Sequence, residues 1–236
     1  MLLQYKTVMM TGGASGIGRA TVLMLAKAGA RVLLCDINQA GAEETIKLSN
    51  GAAVDYIKLD LTQDTSVETC AKQALQLAGN KIDVFVNAAG WDRTQPFVNA
   101  DQAFIDKVLG INLVGPLRLT RALFPAMIEG GGGKIVFVSS DAGRVGSLGE
   151  TPYAAAKGGI SDSPSRWLAR GPGTGLRSTA SVPALPIRRC SMPTRSACAR
   201  PCSGPSHSVG SPPPRTSPGP SSTSPAPAVI TSPARS

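Results

Sequence analysis

The chain has 236 residues, 42% of them hydrophobic, which suits one α/β domain with a sizeable core. Its formal net charge of +9 does not indicate a nucleic-acid-binding protein, because residues 161–236 carry +8 and the first 160 residues only +1. Five cysteines without zinc-type spacing, and an N-terminus without a secretory or membrane segment, predict reduced thiols, no metal and a cytoplasmic location.

The first predicted strand is Thr7–Thr11, which runs directly into a glycine-rich turn at residues 12–18 and a helical pattern through Ala28. Glycines let the backbone approach a pyrophosphate closely, and a helix N-terminus offers free N–H groups to phosphate oxygens. The order strand, glycine turn, helix therefore predicts a dinucleotide site, although a plain tight turn is an alternative.

The second predicted strand, residues 31–35, is followed by Asp36, which lies 18 residues after the last glycine of the turn. This is close to the spacing at which a carboxylate binds the ribose diol of adenosine. A carboxylate repels a 2′-phosphate, and neither Ile37 nor Ser15 supplies a cation nearby. The pattern predicts NAD rather than NADP, with a strand-end cap as the alternative role of Asp36.

Helices and strands continue to alternate after Asp36. Helices are predicted at 39–49, 65–77 and 101–129, and strands at 53–59, 82–86 and 134–138. Strands joined by helices of this length predict right-handed crossovers and a parallel sheet. Ligands of such sheets bind at the carboxyl ends of the strands, where the glycine turn and Asp36 are also predicted to lie.

Tyr153 and Lys157 are four residues apart, so on a helix their side chains lie on one face. A nearby ammonium favours the phenolate and predicts a tyrosine pKa below the ordinary value of about 10. Ser140 follows the apolar residues 135–138 and can face the phenol from the end of that strand. The three groups could polarise a carbonyl or accept the proton of an alcohol; a solvated helix face is the alternative.

Taken together, these segments resemble the short-chain dehydrogenase/reductase family over residues 1–160. The matching segments are residues 11–18, Asp36, residues 60–62, residues 87–90, Asn112, Ser140 and residues 153–157. The resemblance implies a doubly wound parallel sheet, a Rossmann fold, that binds NAD and transfers hydride between the nicotinamide and a secondary alcohol or ketone.

The resemblance also implies the roles of individual residues. Tyr153 would be the general acid/base, Lys157 would lower its pKa and hold the nicotinamide ribose, and Ser140 would orient the substrate oxygen. Asn112 would support a water relay, or be only a satisfied buried amide. The implied cofactor-binding residues are Gly12, Ser15, Gly16, Ile17, Gly18, Asp36, Asp60, Leu61, Asn87, Ala88, Gly90, Tyr153 and Lys157.

The substrate is suggested by Trp91-Asp92 and residues 141–150, which look like those of alicyclic hydroxyacyl-CoA dehydrogenases of the 2-hydroxycyclohexanecarboxyl-CoA type. The 3-oxoacyl carrier-protein reductases are the near alternative. Trp91 is expected either to form an apolar pocket wall or to be a surface lid residue. Arg144 is expected either to meet a thioester or phosphate group or to be solvated. The family implies a homotetramer with a small-molecule substrate and no nucleic-acid or membrane partner; the oligomeric state of this chain stays open.

The character of the chain changes after Ile160, since residues 161–236 hold 15 of the 19 prolines and 17 serines. This composition predicts a disordered tail, a sheet truncated after its fifth strand, and a helix at Tyr153 with only one or two turns before the tail. The expected domains are therefore residues 1–160, which bind NAD and carry the catalytic residues, and a Ser/Pro/Arg-rich tail at 161–236.

A shifted reading frame would account for the change. Back-translated and read two bases later, residues 175–193 can give IAVNCVCPGPTDTPLLDA, a strand followed by the Pro-Gly-x-x-x-Thr loop of the family. The hypothesis is a frame slip near residues 160–162, which would leave an unstable or inactive chain, with a non-catalytic nucleotide-binding remnant as the alternative function. Resequencing codons 155–165 tests it, and an intact frame encoding these residues would contradict it.

Overall fold

Six parallel strands form a sheet in the computed structural model, which describes residues 2–167 and 176–181. The strands are Thr7–Thr11 (β1), Arg31–Asp36 (β2), Val54–Lys58 (β3), Val84–Asn87 (β4), Gly133–Val138 (β5) and Leu176–Ser181 (β6). Their order in the sheet is β3-β2-β1-β4-β5-β6, which confirms the doubly wound parallel architecture. Thr11 pairs with Cys35 of β2 on one side and with Asn87 of β4 on the other, so the carboxyl ends of β1, β2 and β4 lie side by side.

Helices connect the strands and cover both faces of the sheet. They are Gly16–Lys27 (α1), Gln39–Leu48 (α2), Asp64–Leu77 (α3), Gln102–Leu109 (α4), Gly115–Glu129 (α5), Ala142–Val145 (α6) and Thr151–Trp167 (α7). A single 3-10 turn, Phe97–Asn99, precedes α4. None of the helices in the described part of the chain has the length and apolar character needed to span a bilayer.

The core has two layers because side chains of a strand alternate between the faces of the sheet. Val8 and Met10 of β1 belong to one apolar cluster, which also contains Val22 of α1. Met9 points to the opposite cluster, together with Leu119 of α5. This alternation explains why short, continuously apolar strands are buried on both sides.

The predicted helix 101–129 is divided by a π-helical turn, Gly110–Val114, between α4 and α5. A side chain at Gly115 would place its Cβ 2.4 Å from the carbonyl oxygen of Leu61, so glycine permits a close approach to the loop after β3. The turn carries Asn112, whose side chain is completely buried. A π-turn inside an α-helix often marks a functional position.

Two expectations for the C-terminal part are wrong. The sheet does not end at its fifth strand, because Leu176–Ser181 pairs in parallel with β5, from Gly133 opposite Leu176 to Val138 opposite Ser181. Pairing satisfies backbone N–H and C=O groups at the exposed edge and does not require apolar side chains.

The helix that carries Tyr153 also continues beyond the one or two turns expected, to Trp167. Ile160 is fully buried, and the Ser161 hydroxyl forms a hydrogen bond with the Ser139 hydroxyl just after β5, which holds this part of α7 against the sheet. The expected domain boundary at residue 160 falls inside this helix. The disorder predicted for the rest of the tail concerns residues outside the described part of the chain.

Candidate active site

In the glycine turn between β1 and α1, backbone atoms approach two positions so closely that only glycine fits there. A Cβ at Gly12, where φ is +75°, would lie 2.6 Å from the Ala89 backbone nitrogen. A Cβ at Gly18 would lie 1.8 Å from the Gly12 carbonyl oxygen. Ser15 is the N-cap of α1, and its side chain makes no capping hydrogen bond. The turn therefore presents backbone and the start of a helix, as an anion site requires.

This turn borders a first cleft of about 480 Å³ at the carboxyl ends of the strands, called here the glycine-turn cleft. Most residues predicted to bind the cofactor line it: Gly12, Ser15, Gly16, Ile17, Gly18, Asp36, Asp60, Leu61, Ala88 and Gly90. Cys35, Lys107 and Ile111 are among the further lining residues, and the sequence had not indicated them as part of the site. Lys107 is the only cation among the residues described as lining the cleft.

The two carboxylates in this cleft are held by the chain itself. Asp36 accepts hydrogen bonds from the backbone N–H groups of Ala14, at 3.0 Å, and Asn38, at 2.9 Å. Asp60 accepts the Thr62 N–H at 2.9 Å and the Thr62 hydroxyl at 2.7 Å. Both side chains are therefore oriented before any ligand arrives.

A second cleft of about 500 Å³, called here the tyrosine cleft, contains the predicted catalytic side chains. Its polar lining consists of Asp92, Ser139, Ser140, Asp141, Glu150, Tyr153 and Lys157. Ile17, Ala88, Gly90 and Trp91 line both clefts, so the two spaces share a wall. The structure therefore places Ser140, Tyr153 and Lys157 beside the residues of the glycine turn.

Lys157 is held in the tyrosine cleft by hydrogen bonds at its side chain and at its backbone carbonyl. Its side chain is buried, and its Nζ donates to the Val138 carbonyl oxygen at 2.9 Å. Its own carbonyl oxygen accepts the Ser139 hydroxyl at 3.0 Å, which attaches α7 to the end of β5. Burial lowers the pKa of the Lys157 ammonium to about 8, because the charged form is poorly solvated there.

The pKa of Tyr153 differs from the sequence-based expectation. Burial raises the pKa of its phenol above the ordinary 10.0; the Ser140 hydroxyl lowers it, and the carboxylates of Glu150 and Asp92 raise it further. Lys157 Nζ lies 5.6 Å from the centre of the tyrosine ring and is bonded to a carbonyl instead. The expected lowering of the tyrosine pKa by Lys157 is therefore wrong for this structure.

Neither predicted asparagine lines a cleft. Asn87 is buried at the end of β4, where its Oδ1 accepts the Thr11 hydroxyl at 2.8 Å. Its Nδ2 has no hydrogen-bond partner among the described residues. Asn87, which was predicted to line the cofactor groove, is therefore not among the lining residues of the glycine-turn cleft.

Asn112 connects the π-turn to the shared wall. Its Nδ2 donates to the carbonyl oxygens of Trp91, at 2.7 Å, and Val108, at 2.9 Å, and its Oδ1 accepts the Trp91 N–H at 3.3 Å. A Cβ at Gly90 would lie 3.0 Å from Asn112 Oδ1 and 3.5 Å from Lys157 Nζ. Asn112 and Lys157 therefore pack around the backbone of Gly90.

Trp91 and Arg144 were each given two possible roles from the sequence, and the structure places them in different environments. Trp91 forms a wall of both clefts, with its ring at an edge-to-face angle to Phe104 and Lys107 Nζ 3.9 Å above it. Arg144 is exposed and lies 3.5 Å from Asp141, outside the lining of either cleft. Its environment is that of a solvated loop arginine. Within the described residues no three His, Cys, Asp or Glu side chains are grouped as a metal site.

The site combines a phenol, a buried amine and a serine hydroxyl with a neighbouring helix N-terminus. A phenol that is protonated at neutral pH can donate a proton to a carbonyl oxygen, and Ser140 can hold that oxygen. The glycine turn and Asp36 suit a pyrophosphate and a ribose diol, since the close backbone and the fixed carboxylate are both present. The residues fit a dinucleotide.

Comparisons with known proteins agree with this geometry. The family model described as short chain dehydrogenase matches residues 6–170. The chain is 35% identical over 185 residues to the 3-oxoacyl-[acyl-carrier-protein] reductase of Thermotoga maritima, covering 78% of this chain and 75% of that protein. It is 33% identical over 168 residues to the (3R)-3-hydroxyacyl-CoA dehydrogenase of Canis lupus familiaris, covering 67% of this chain and 65% of the relative.

Among solved structures, the chain resembles a variant of actinorhodin polyketide ketoreductase with NADPH. The TM-score is 0.69 at 29% sequence identity, and the match covers 74% of this chain and 68% of that one.

Proposed function

Because the chain belongs to the short-chain dehydrogenase family, we propose that it transfers a hydride between NAD(H) and a secondary alcohol or its ketone. The observation that carries the proposal is the position of Ser140, Tyr153 and Lys157 in a cleft that shares a wall with the glycine turn. The alternative from the sequence, a remnant that binds the nucleotide without turnover, differs in the catalytic step alone.

In the proposed reaction Tyr153 moves the proton. The nicotinamide, when bound, supplies or accepts the hydride. In reduction the Tyr153 hydroxyl gives its proton to the carbonyl oxygen as the hydride reaches the carbon; in oxidation the phenolate takes the proton from the alcohol. Ser140 orients the substrate oxygen, and Lys157, whose pKa is about 8, can exchange a proton near neutral pH. Asn112 acts as a positioning residue through Gly90 and Trp91.

NAD is proposed rather than NADP because of the charges near Asp36. The Asp36 carboxylate borders the glycine-turn cleft and would repel a 2′-phosphate. Arg19, the arginine nearest in sequence to the turn, is paired with Glu44 at 2.6 Å and donates to the Ala14 carbonyl oxygen at 2.7 Å. This arginine is thus engaged elsewhere, although the ketoreductase neighbour carries NADPH.

For the substrate, a hydroxyacyl thioester is the first candidate, in particular an alicyclic hydroxyacyl-CoA. The names of the two relatives support an acyl thioester, and the indole of Trp91 offers an apolar wall to an acyl ring or chain. A 3-oxoacyl carrier-protein substrate is the alternative that the first relative favours. We also propose a cytoplasmic location, which suits the free thiols of Cys35 and Cys70.

The test uses the full 236-residue chain. NADH formation is measured with cyclic secondary alcohols and hydroxyacyl-CoAs, and NAD binding is measured separately by calorimetry. We expect both binding and turnover, with NAD preferred over NADP. Binding of NAD without turnover on any alcohol or ketone would favour the nucleotide-binding remnant, and absence of both would contradict the proposed function.

A further inference from the structure

The ammonium of Lys107 has no role in the proposed reaction, although it borders the glycine-turn cleft from α4. Lys107 is exposed, and its Nζ lies 3.9 Å from the centre of the Trp91 ring. No hydrogen bond or ion pair in the described part of the chain involves this nitrogen. Because a cation–π contact at an exposed site is weak, the charge of Lys107 is available to an anion that enters the cleft.

The carboxylates around the cleft do not neutralise Lys107. Asp36 and Asp60 each accept two hydrogen bonds from the chain. Asp106, the neighbour of Lys107 in the sequence, accepts the side-chain amide of Gln102 at 2.8 Å. None of these three carboxylates is among the ion pairs that the described residues form with Lys107 or any other cation. The cleft thus offers a cation without a counter-ion.

The strand order places Lys107 beside the glycine turn. β1, which runs into the turn, lies between β2, which ends at Asp36, and β4, which leads to Trp91. Neighbouring strands are about 4.8 Å apart, so Asp36 and Trp91 lie on opposite sides of the turn. A dinucleotide with its adenosine ribose at Asp36 and its nicotinamide at Tyr153 would cross the turn with its pyrophosphate, next to Trp91 and Lys107.

The glycine turn alone does not balance the charge of a pyrophosphate. The start of a helix contributes about half an elementary charge, whereas each phosphate carries a full negative charge. Residues 12–18 contain no lysine or arginine, and the two carboxylates of the cleft add further negative charge. A cation from another element is therefore needed, and α4 supplies Lys107.

We propose that Lys107 binds the pyrophosphate of NAD, and that its ammonium leaves the Trp91 ring to do so. The inference rests on the proposed function, whose cofactor it concerns. Lys107 also borders an outer groove next to Arg118, so its side chain stands at the rim of the cleft and can turn inward without movement of the backbone. The exchange is favourable because a hydrogen bond between an ammonium and a phosphate is stronger than an exposed cation–π contact.

The experiment measures NAD binding by calorimetry in about 50 mM salt, where charge screening is weak. Lys107→Met should weaken NAD binding by about tenfold, and Lys107→Arg, which keeps the charge, by no more than about threefold. The control Lys72→Met removes the same charge from an exposed position on α3, outside the lining of the cleft, and should bind NAD like wild type. Equal NAD affinities of wild type and Lys107→Met would overturn the proposal.

A phosphate contact predicts two further results that a loss of packing would not give. Lys107→Met should weaken ADP-ribose about as much as NAD, and leave adenosine, which has no phosphate, within about twofold. In about 0.5 M salt the difference between wild type and Lys107→Met should shrink to about threefold or less, because screening weakens exposed charge pairs. An equal loss for adenosine, or a difference that salt does not reduce, would overturn the proposal.

Failure of this inference can be distinguished from failure of the proposed function. NAD binding without turnover contradicts hydride transfer alone, and the comparison of wild type with Lys107→Met still decides the role of Lys107. Absence of NAD binding by wild type overturns both. Coenzyme A contains the same pyrophosphate and is the last probe: if Lys107→Met loses affinity for coenzyme A but not for NAD, Lys107 serves the substrate and the proposal is overturned.

Discussion

The two clefts are formed by adjacent parts of one sheet edge, yet their polar groups are in opposite states. In the glycine-turn cleft the carboxylates of Asp36 and Asp60 each accept two hydrogen bonds from the chain. In the tyrosine cleft Asp92 accepts none of normal geometry from the described residues, Lys157 is buried with a lowered pKa, and the pKa of Tyr153 is raised. In the glycine-turn cleft both carboxylates have hydrogen-bond partners without a ligand. In the tyrosine cleft the ionised forms of several side chains are poorly solvated and therefore unfavourable.

This difference separates binding from chemistry. The glycine-turn cleft is preorganised by local hydrogen bonds, so we expect it to fix the position of a ligand with little loss of conformational freedom on binding. The tyrosine cleft keeps ionisable groups away from water, where their pKa values are displaced and proton transfer becomes available near neutral pH. Substitutions in the two clefts should consequently affect different measurements.

The largest expected effect is that of Tyr153→Phe. Removing the hydroxyl that we propose moves the proton should reduce kcat by about 100- to 10,000-fold. The affinity for NAD, measured by calorimetry, should stay within about twofold, because the glycine turn and Asp36 are untouched. Simultaneous loss of turnover and NAD binding would show that Tyr153 is structural and that the two clefts are not separable.

The next largest effect is expected for Gly18→Ala, which should disrupt the glycine-turn cleft. The added Cβ would lie 1.8 Å from the Gly12 carbonyl oxygen, so the turn must move, at a cost of about 3 kcal/mol in unfolding free energy. NAD affinity should fall with it. The matched control is Gly110→Ala, whose added methyl group would lie 3.7 Å from its nearest neighbour, Thr62 Cγ2. Equal stability of the two variants in urea unfolding would contradict the close approach.

A pH effect should follow from Lys157. Its pKa is about 8 in the folded chain and 10.5 ordinarily, so between these values the unfolded chain binds more protons. Stability therefore rises with pH across this window, and the burial penalty is fully present below pH 8. Between pH 7.5 and 9.5 the unfolding free energy of wild type should rise by about 2 kcal/mol relative to Lys157→Met. Parallel pH profiles of the two proteins would disprove the lowered pKa.

The smallest effect expected is that of Asp36→Ala. Loss of the carboxylate that we propose binds the ribose diol should weaken NAD binding by about tenfold, or roughly 1.4 kcal/mol, and leave NADP less affected. Asp55→Asn is the control, because Asp55 pairs with Arg31 outside the cleft. An unchanged ratio of NAD to NADP affinity in Asp36→Ala would remove Asp36 from the adenosine site.

The sequence predicted what depends on local pattern. The strands β1 to β5 are apolar runs, and the glycine turn and the Tyr153–Lys157 spacing are short motifs, so each could be recognised without knowledge of distant residues. The bounds of β1, Thr7–Thr11, agree with the predicted ones.

Features that depend on distant contacts could not be predicted. β6 has the sequence LRSTAS, without apolar alternation, and is defined by its pairing with β5. The π-turn at Gly110–Val114 lies within one continuous helical pattern in the sequence. It ends where the helix backbone passes close to the Leu61 carbonyl oxygen, a contact that the local pattern does not show. The unpaired state of Asp92 and the burial of Lys157 arise from packing between segments that are distant in the sequence. Burial also reversed the expected direction of the tyrosine pKa, since spacing alone shows a cation but not its solvation.

The stacked environment of Trp91 has an optical consequence. The chain contains two tryptophans, and the indole of Trp91 borders both clefts with an ammonium 3.9 Å above its ring. Its fluorescence should therefore respond to any molecule that enters either space or displaces Lys107. In a Trp167→Phe background, Trp91 becomes a single emitter, and the emission spectrum can follow the filling of the two clefts in real time without an added label.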